Sequence, residues 1–144
     1  MSEGKKNAKY DSIVAAGRKL FWKYGIRKVS VEELCKEAKV SKMTFYRHFP
    51  NKMALAKANI LAELDNSMQE YRALMDQDIP FHQKIEQMMQ AKYEGVQKLS
   101  DELVADFHRD ENNEIRVLHE AKGQEIMQEV VADFMAAQQR GEIR

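Results

Sequence analysis

Along the chain, apolar positions recur at three- and four-residue intervals, and no stretch alternates apolar with polar residues between hairpin turns. The pattern predicts an all-α chain. Ile13, Ala16, Leu20, Phe21 and Tyr24 fall on one face of a first helix that stops at Gly25, a residue able to take the left-handed cap conformation. Ser30-Val31-Glu32-Glu33 reads as a capping box, from which Val31, Leu34, Cys35 and Ala38 continue as the apolar face of a short second helix. After Lys39-Val40, Ser41 caps a third helix, which ends near Pro50 because the residue before a proline is pushed out of the helical region. Asn51 opens a long fourth helix with Ile60, Leu61, Leu64, Met68, Tyr71 and Met75 as its buried stripe. Pro80 begins a fifth, with Phe81, Ile85, Met88, Met89, Val96 and Leu99 inward, and Ser100 caps a short sixth around Leu103, Val104 and Phe107. A last helix starts at Asn112 or Asn113 and ends at Gly141. Its two adjacent stripes, Ile126-Val130-Phe134 and Met127-Val131-Met135, make a wide apolar face and predict that it is largely buried.

Composition adds bounds. With 144 residues, 44% hydrophobic and 32% charged, the chain suits one ordinary core, or a small head sharing a core with a second helical part. No apolar run approaches the ~18 residues needed to span a bilayer, and MSEGKKNAKY lacks the apolar stretch of a secretory signal, so a cytoplasmic chain is expected. A lone Cys35 fits that compartment and excludes an intramolecular disulfide. The net charge of zero conceals a division: Met1 to Ile60 carries 14 Lys and Arg against 5 Asp and Glu, a net of +9, and Leu61 to Arg144 carries 9 against 18, a net of −9. A basic head and an acidic body favour head-first docking on a polyanion.

Two short helices joined by a tight turn and braced by a preceding helix are the helix-turn-helix arrangement, with the third helix as the reading element. At about 100° per residue, Phe45 and Phe49 set its buried direction. Met43 and Arg47 then lie opposite, flanked by Thr44 and Tyr46, and Lys42 at the first turn has a stem long enough to reach DNA. The N–H groups of the helix that begins at Ser30 and Val31 add an anion site.

The stretch from Ile13 to Ile60, above all VSKMTFYRHFPNKMAL with the Gly25 to Ser30 spacing before it, resembles the DNA-binding head of the TetR family of bacterial repressors. The resemblance implies a head over residues 1–50 and a helical ligand-binding and dimerisation body over 51–144, apparently lacking its last helices, because family members continue into two more that pair with a second subunit. It implies a nucleoid-associated homodimer, when full length, on a palindromic operator of double-stranded DNA. Residues matching Lys42, Met43, Thr44 and Arg47 then approach base edges, while those matching Tyr46, His48 and Lys52 hold phosphates. A small-molecule effector of unknown identity is expected between the fourth, fifth and last helices, against some of Met68, Tyr71, Met89, Tyr93, His119 and Met127, and its binding should shift the fourth helix and with it the head. The alternative is the same head controlled by a protein partner.

An enzyme is not expected, nor a metal or cofactor. His108-Arg109-Asp110 mimics a kinase catalytic-loop tripeptide without a Gly-rich phosphate loop, and His82, His108 and His119 lack ligand partners at helical spacing.

Overall fold

In the computed structural model five of the seven described helices start where a short polar side chain satisfies one or more of the first N–H groups. Residues 2–109 and 113–144 are described, and they form α1 (Ser2–Tyr24), α2 (Val31–Ala38), α3 (Lys42–His48), α4 (Lys52–Met75), α5 (Phe81–Gln97), α6 (Asp101–His108) and α7 (Glu114–Gln139), with no strand among them. The Ser30 hydroxyl accepts from Glu33 N at 3.1 Å, Ser41 from Thr44 N at 3.1 Å, Asn51 from Ala54 N at 2.8 Å and Ser100 from Leu103 N at 3.2 Å. Asn113 caps α7 by accepting from Ile115 N and Arg116 N. Asn112, the other candidate start, and Asp110 lie outside the described residues. Such caps stabilise a helix by about 1 kcal/mol each.

Helix ends follow backbone freedom. Gly25 takes φ +82°, and its N–H donates to the Phe21 carbonyl at 2.8 Å, closing α1. α2 closes without a glycine: Lys39 enters the left-handed region at φ 58°, ψ 45° and turns its N–H back on the α2 carbonyls.

The core forms around α1. Ile13, Phe21, Leu34, Phe45 and Leu55, from α1, α2, α3 and α4, are fully buried together. α4 crosses α1 closely at Gly17, where a Cβ would stand 2.3 Å from Asn59 Nδ2 and 3.0 Å from the Leu55 side chain. Buried Asn59 is satisfied there by donating to the Leu55 carbonyl at 3.2 Å. The same core continues past residue 50 into the body: Ala56 and Ile60 of α4, Leu103 of α6 and Ile115 of α7 join it.

Several inward assignments are corrected. Tyr24 is 44% exposed, beyond the last core contact of α1. On α5, Phe81 is buried and Ile85 and Met88 are half-buried, but Met89, Val96 and Leu99 are exposed. On α6, Val104 is exposed while Leu103 carries the burial. α7 is not largely buried. It lays Ile126, Val130 and Phe134 half-buried toward its neighbours, while Met127, Val131 and Met135 face outward. The reason is that one side of α7 packs on α4, through Tyr71 Oη donating to Asp133 at 2.8 Å and Arg72 gripping Glu129 with two bonds of 2.8 and 2.9 Å. Phe81 meets Phe134 edge-on at 5.2 Å, and nothing among the described residues covers the second stripe.

Candidate nucleic-acid interface

α3 is seven residues long and is held by its two phenylalanines, Phe45 fully buried and Phe49 nearly so. That anchorage turns the opposite face outward: Met43 is 70% exposed, Tyr46 is 51% exposed, and Lys42 and Arg47 are exposed. Thr44 and His48 are half-buried at the edges of this face. Thr44 Oγ1 accepts from the Ser41 hydroxyl at 3.0 Å, which stiffens the first turn, and Arg47 Nη2 lies 3.8 Å from Met43 Sδ. The His48 ring meets Tyr10 of α1 edge-on at 5.8 Å, and Tyr10 stacks on Phe49 at 5.2 Å. Tyr10 thus buttresses α3, a role that the polar stretch around it did not signal.

The face carries no acidic residue of its own, but α2 supplies one. Lys42 Nζ pairs with Glu32 at 2.5 Å, both ends exposed. The Glu32 bond raises the Lys42 ammonium above its usual range, and the Lys42 bond lowers the Glu32 carboxyl, so the pair is ionised at neutral pH. Lys42 can therefore meet another anion only by exchanging this partner. Helical spacing does not show Glu32 as its partner, because the two residues sit on different helices.

Ser30 and Val31 are half-buried at the start of α2, where the first N–H groups have no acceptor within the helix. Lys52 stands differently from a simple phosphate contact. Its Nζ donates to the Val29 carbonyl at 2.9 Å and the Arg27 carbonyl at 3.1 Å, and burial pushes its pKa below the ordinary lysine value. Two of its three N–H groups tie the turn between α1 and α2 to the start of α4, and one remains.

This placement brings Lys42, Met43, Tyr46 and Arg47 together on one exposed face. Residues 13–58 match the family model described as bacterial regulatory proteins, tetR family. The chain carries a TetR-family head. It is 28% identical over 133 residues to the HTH-type transcriptional regulator UidR of Escherichia coli strain K12, a match covering 91% of this chain and 67% of that protein, with the same figures for UidR of Shigella flexneri. Among solved structures, the fatty acid degradation regulator FadR of Bacillus halodurans superposes with a TM-score of 0.75 at 18% identity over 94% of this chain and 72% of that one. Salmonella enterica GusR gives 0.67 at 24% identity, over 94% and 71%. These two show that the all-α fold extends beyond the TetR-type head through the body. The chain is thus a DNA-binding regulator of transcription by its head and its relatives. No described helix is long and apolar enough to cross a membrane.

The body residues expected around an effector are not brought together. Met68 and Tyr71 are buried on α4, the latter committed to Asp133. Met89 and Tyr93 are 61% and 62% exposed on α5, and Met127 is 53% exposed on α7 in an open groove with Val131 and Met135. His119 is exposed and packs edge-on against Phe107 at 5.5 Å.

Proposed function

We propose that this TetR-family regulator is a repressor that reads a palindromic operator with α3 and is released by a small-molecule effector acting on the helical body. The observation that carries the reading is the exposed Lys42-Met43-Tyr46-Arg47 face on the buried Phe45 and Phe49 anchor. An α-helix enters the major groove, where Arg47 pairs bidentately with a guanine and Met43 offers apolar contact to a thymine methyl. Tyr46, His48, the remaining N–H of Lys52 and the first turn of α2 at Ser30 and Val31 hold phosphates, which orient the head. Thr44, at the edge of the face, approaches the bases beside Arg47. The protein works as a two-fold dimer in the cytoplasm, associated with the nucleoid, and catalyses no reaction.

Selection of bound duplexes from a randomised library tests this. Two copies of one half-site in inverted orientation, roughly 34 Å or a multiple apart, are the expected result; enrichment of no sequence contradicts it. A second reading, control by a protein partner in place of a small molecule, is favoured by the open position of Met89, Tyr93 and Val96 on α5. Native mass spectrometry of the purified protein separates the two: a small-molecule mass supports the first, a stoichiometric polypeptide the second.

A further inference from the structure

The turn that leads into α2 is held by a residue of the body. Asp106, on α6, accepts through Oδ2 from the backbone N–H groups of Ile26 at 2.7 Å and Arg27 at 3.1 Å. The fit is close: a Cβ on Gly25, at φ +82°, would stand 2.7 Å from the same oxygen and 3.1 Å from the Glu102 backbone. From the other side Lys52 of α4 takes the Arg27 and Val29 carbonyls. The peptide units of the turn are thus gripped between an anion on α6 and a cation on α4. α6 itself is fixed in the head, since Leu103 is 1% exposed in its core and Ser100 N donates to the Trp22 carbonyl at 3.3 Å. The Asp106 side chain is only 13% exposed, with Arg109 Nη1 at 3.5 Å from its second oxygen.

We propose that Asp106 is a positioning residue for DNA binding: its carboxylate fixes the Gly25–Arg27 turn, which sets where α2 begins and so how α3 is presented to the groove. The proposal rests on the DNA-reading role of α3 and adds a body residue to the head's own machinery. Two bonds from N–H donors to a carboxylate are charge-assisted and stronger than neutral ones, and the chain between Arg27 and the Ser30 cap is too short to absorb a displaced turn. Asp106 carries negative charge, so simple repulsion of DNA would make its removal strengthen binding. Positioning predicts the opposite on the cognate sequence.

The test uses the whole chain and two duplexes, an operator selected from a randomised library by the unsubstituted protein and a random sequence of equal length. Asp106→Asn is expected to weaken operator binding roughly tenfold, about 1.4 kcal/mol, while binding to the random duplex does not fall. Operator binding that is unchanged or tighter overturns the proposal, as does an equal proportional loss on both duplexes, which is what a partly unfolded sample gives. If the variant does not fold, amide hydrogen exchange on the unsubstituted chain decides. Ile26 and Arg27 N–H groups are expected to exchange far more slowly than that of exposed Lys28, and equal rates overturn the proposal. Failure of the unsubstituted chain to bind either duplex counts against the DNA-reading role itself, and the exchange measurement then still reports whether the carboxylate holds the turn.

Discussion

At the scale of the residue, two of the cations on the proposed DNA-facing side already have partners within the chain. Lys42 is paired with Glu32 and Lys52 with two carbonyls, leaving Arg47 and Tyr46 as the polar groups turned outward from α3. Glu32→Gln is therefore expected to tighten DNA binding and to steepen the dependence of log affinity on log salt by about one, because a competing anion is removed and Lys42 is released to a phosphate. Titration of a fluorescent duplex at several salt concentrations measures both, and an unchanged slope denies Lys42 a phosphate role. How much of this was legible depended on distance along the chain. The outward direction of Met43 and Arg47 followed from Phe45 and Phe49 within one short helix, where helical spacing decides which side each residue takes. Asp106 on the N–H groups of Ile26 and Arg27, 80 and 79 residues away, left no trace in spacing, and neither did the diversion of Lys52 to backbone carbonyls.

At the scale of the element, the caps Ser30, Ser41, Asn51 and Ser100 stood where the sequence placed them, since a cap is a contact across three residues. Burial was less legible. Periodicity marks an apolar stripe but not whether another element reaches it, and so it points the outer stripe of α7 and the second half of α5 inward though they face out. The α4 to α7 contact that does form rests on Tyr71. Burial, then its bond to Asp133, raises the phenol above its ordinary value of about 10. A folded-state pKa raised in this way gives stability that is whole below pH about 10 and is lost as pH rises beyond it, because the unfolded phenol then releases its proton first. Tyr71→Phe is expected to cost about 1.5–3 kcal/mol near neutrality, as for the loss of a hydrogen bond to a charged group. It should also flatten the alkaline decline, and urea denaturation at pH 7 and at pH above 10 checks both parts. An equal loss at both pH values contradicts the assigned role of the hydroxyl.

At the scale of the molecule, the basic N-terminal part and the acidic remainder, +9 and −9, are joined by more than the long α4. Leu103 and Ile115 enter the head's core, Lys57 of α4 pairs with Glu114 of α7 at 3.3 Å, and Asp106 caps the turn before α2. A displacement of α6 or α4 would thus be felt at α2 and α3 through direct contacts, which is the route that the proposed control of the head from the body requires. The charge division and the head were readable from composition and from the segment between Gly25 and Lys52; the entry of α6 into the head's core was not, because Leu103 looks like any apolar residue of a short helix. The central claim, that the exposed face of α3 reads sequence, is tested most directly by competitive binding of the Arg47→Ala chain to a randomised operator library. Arg47 is exposed and points away from Phe45 and Phe49, so the fold is expected to be unchanged. Cognate affinity should fall by roughly 1–3 kcal/mol, random-sequence affinity much less, and preference should relax at one position in each half-site. An Arg47→Ala chain that selects the same bases as strongly as the unsubstituted protein would contradict it.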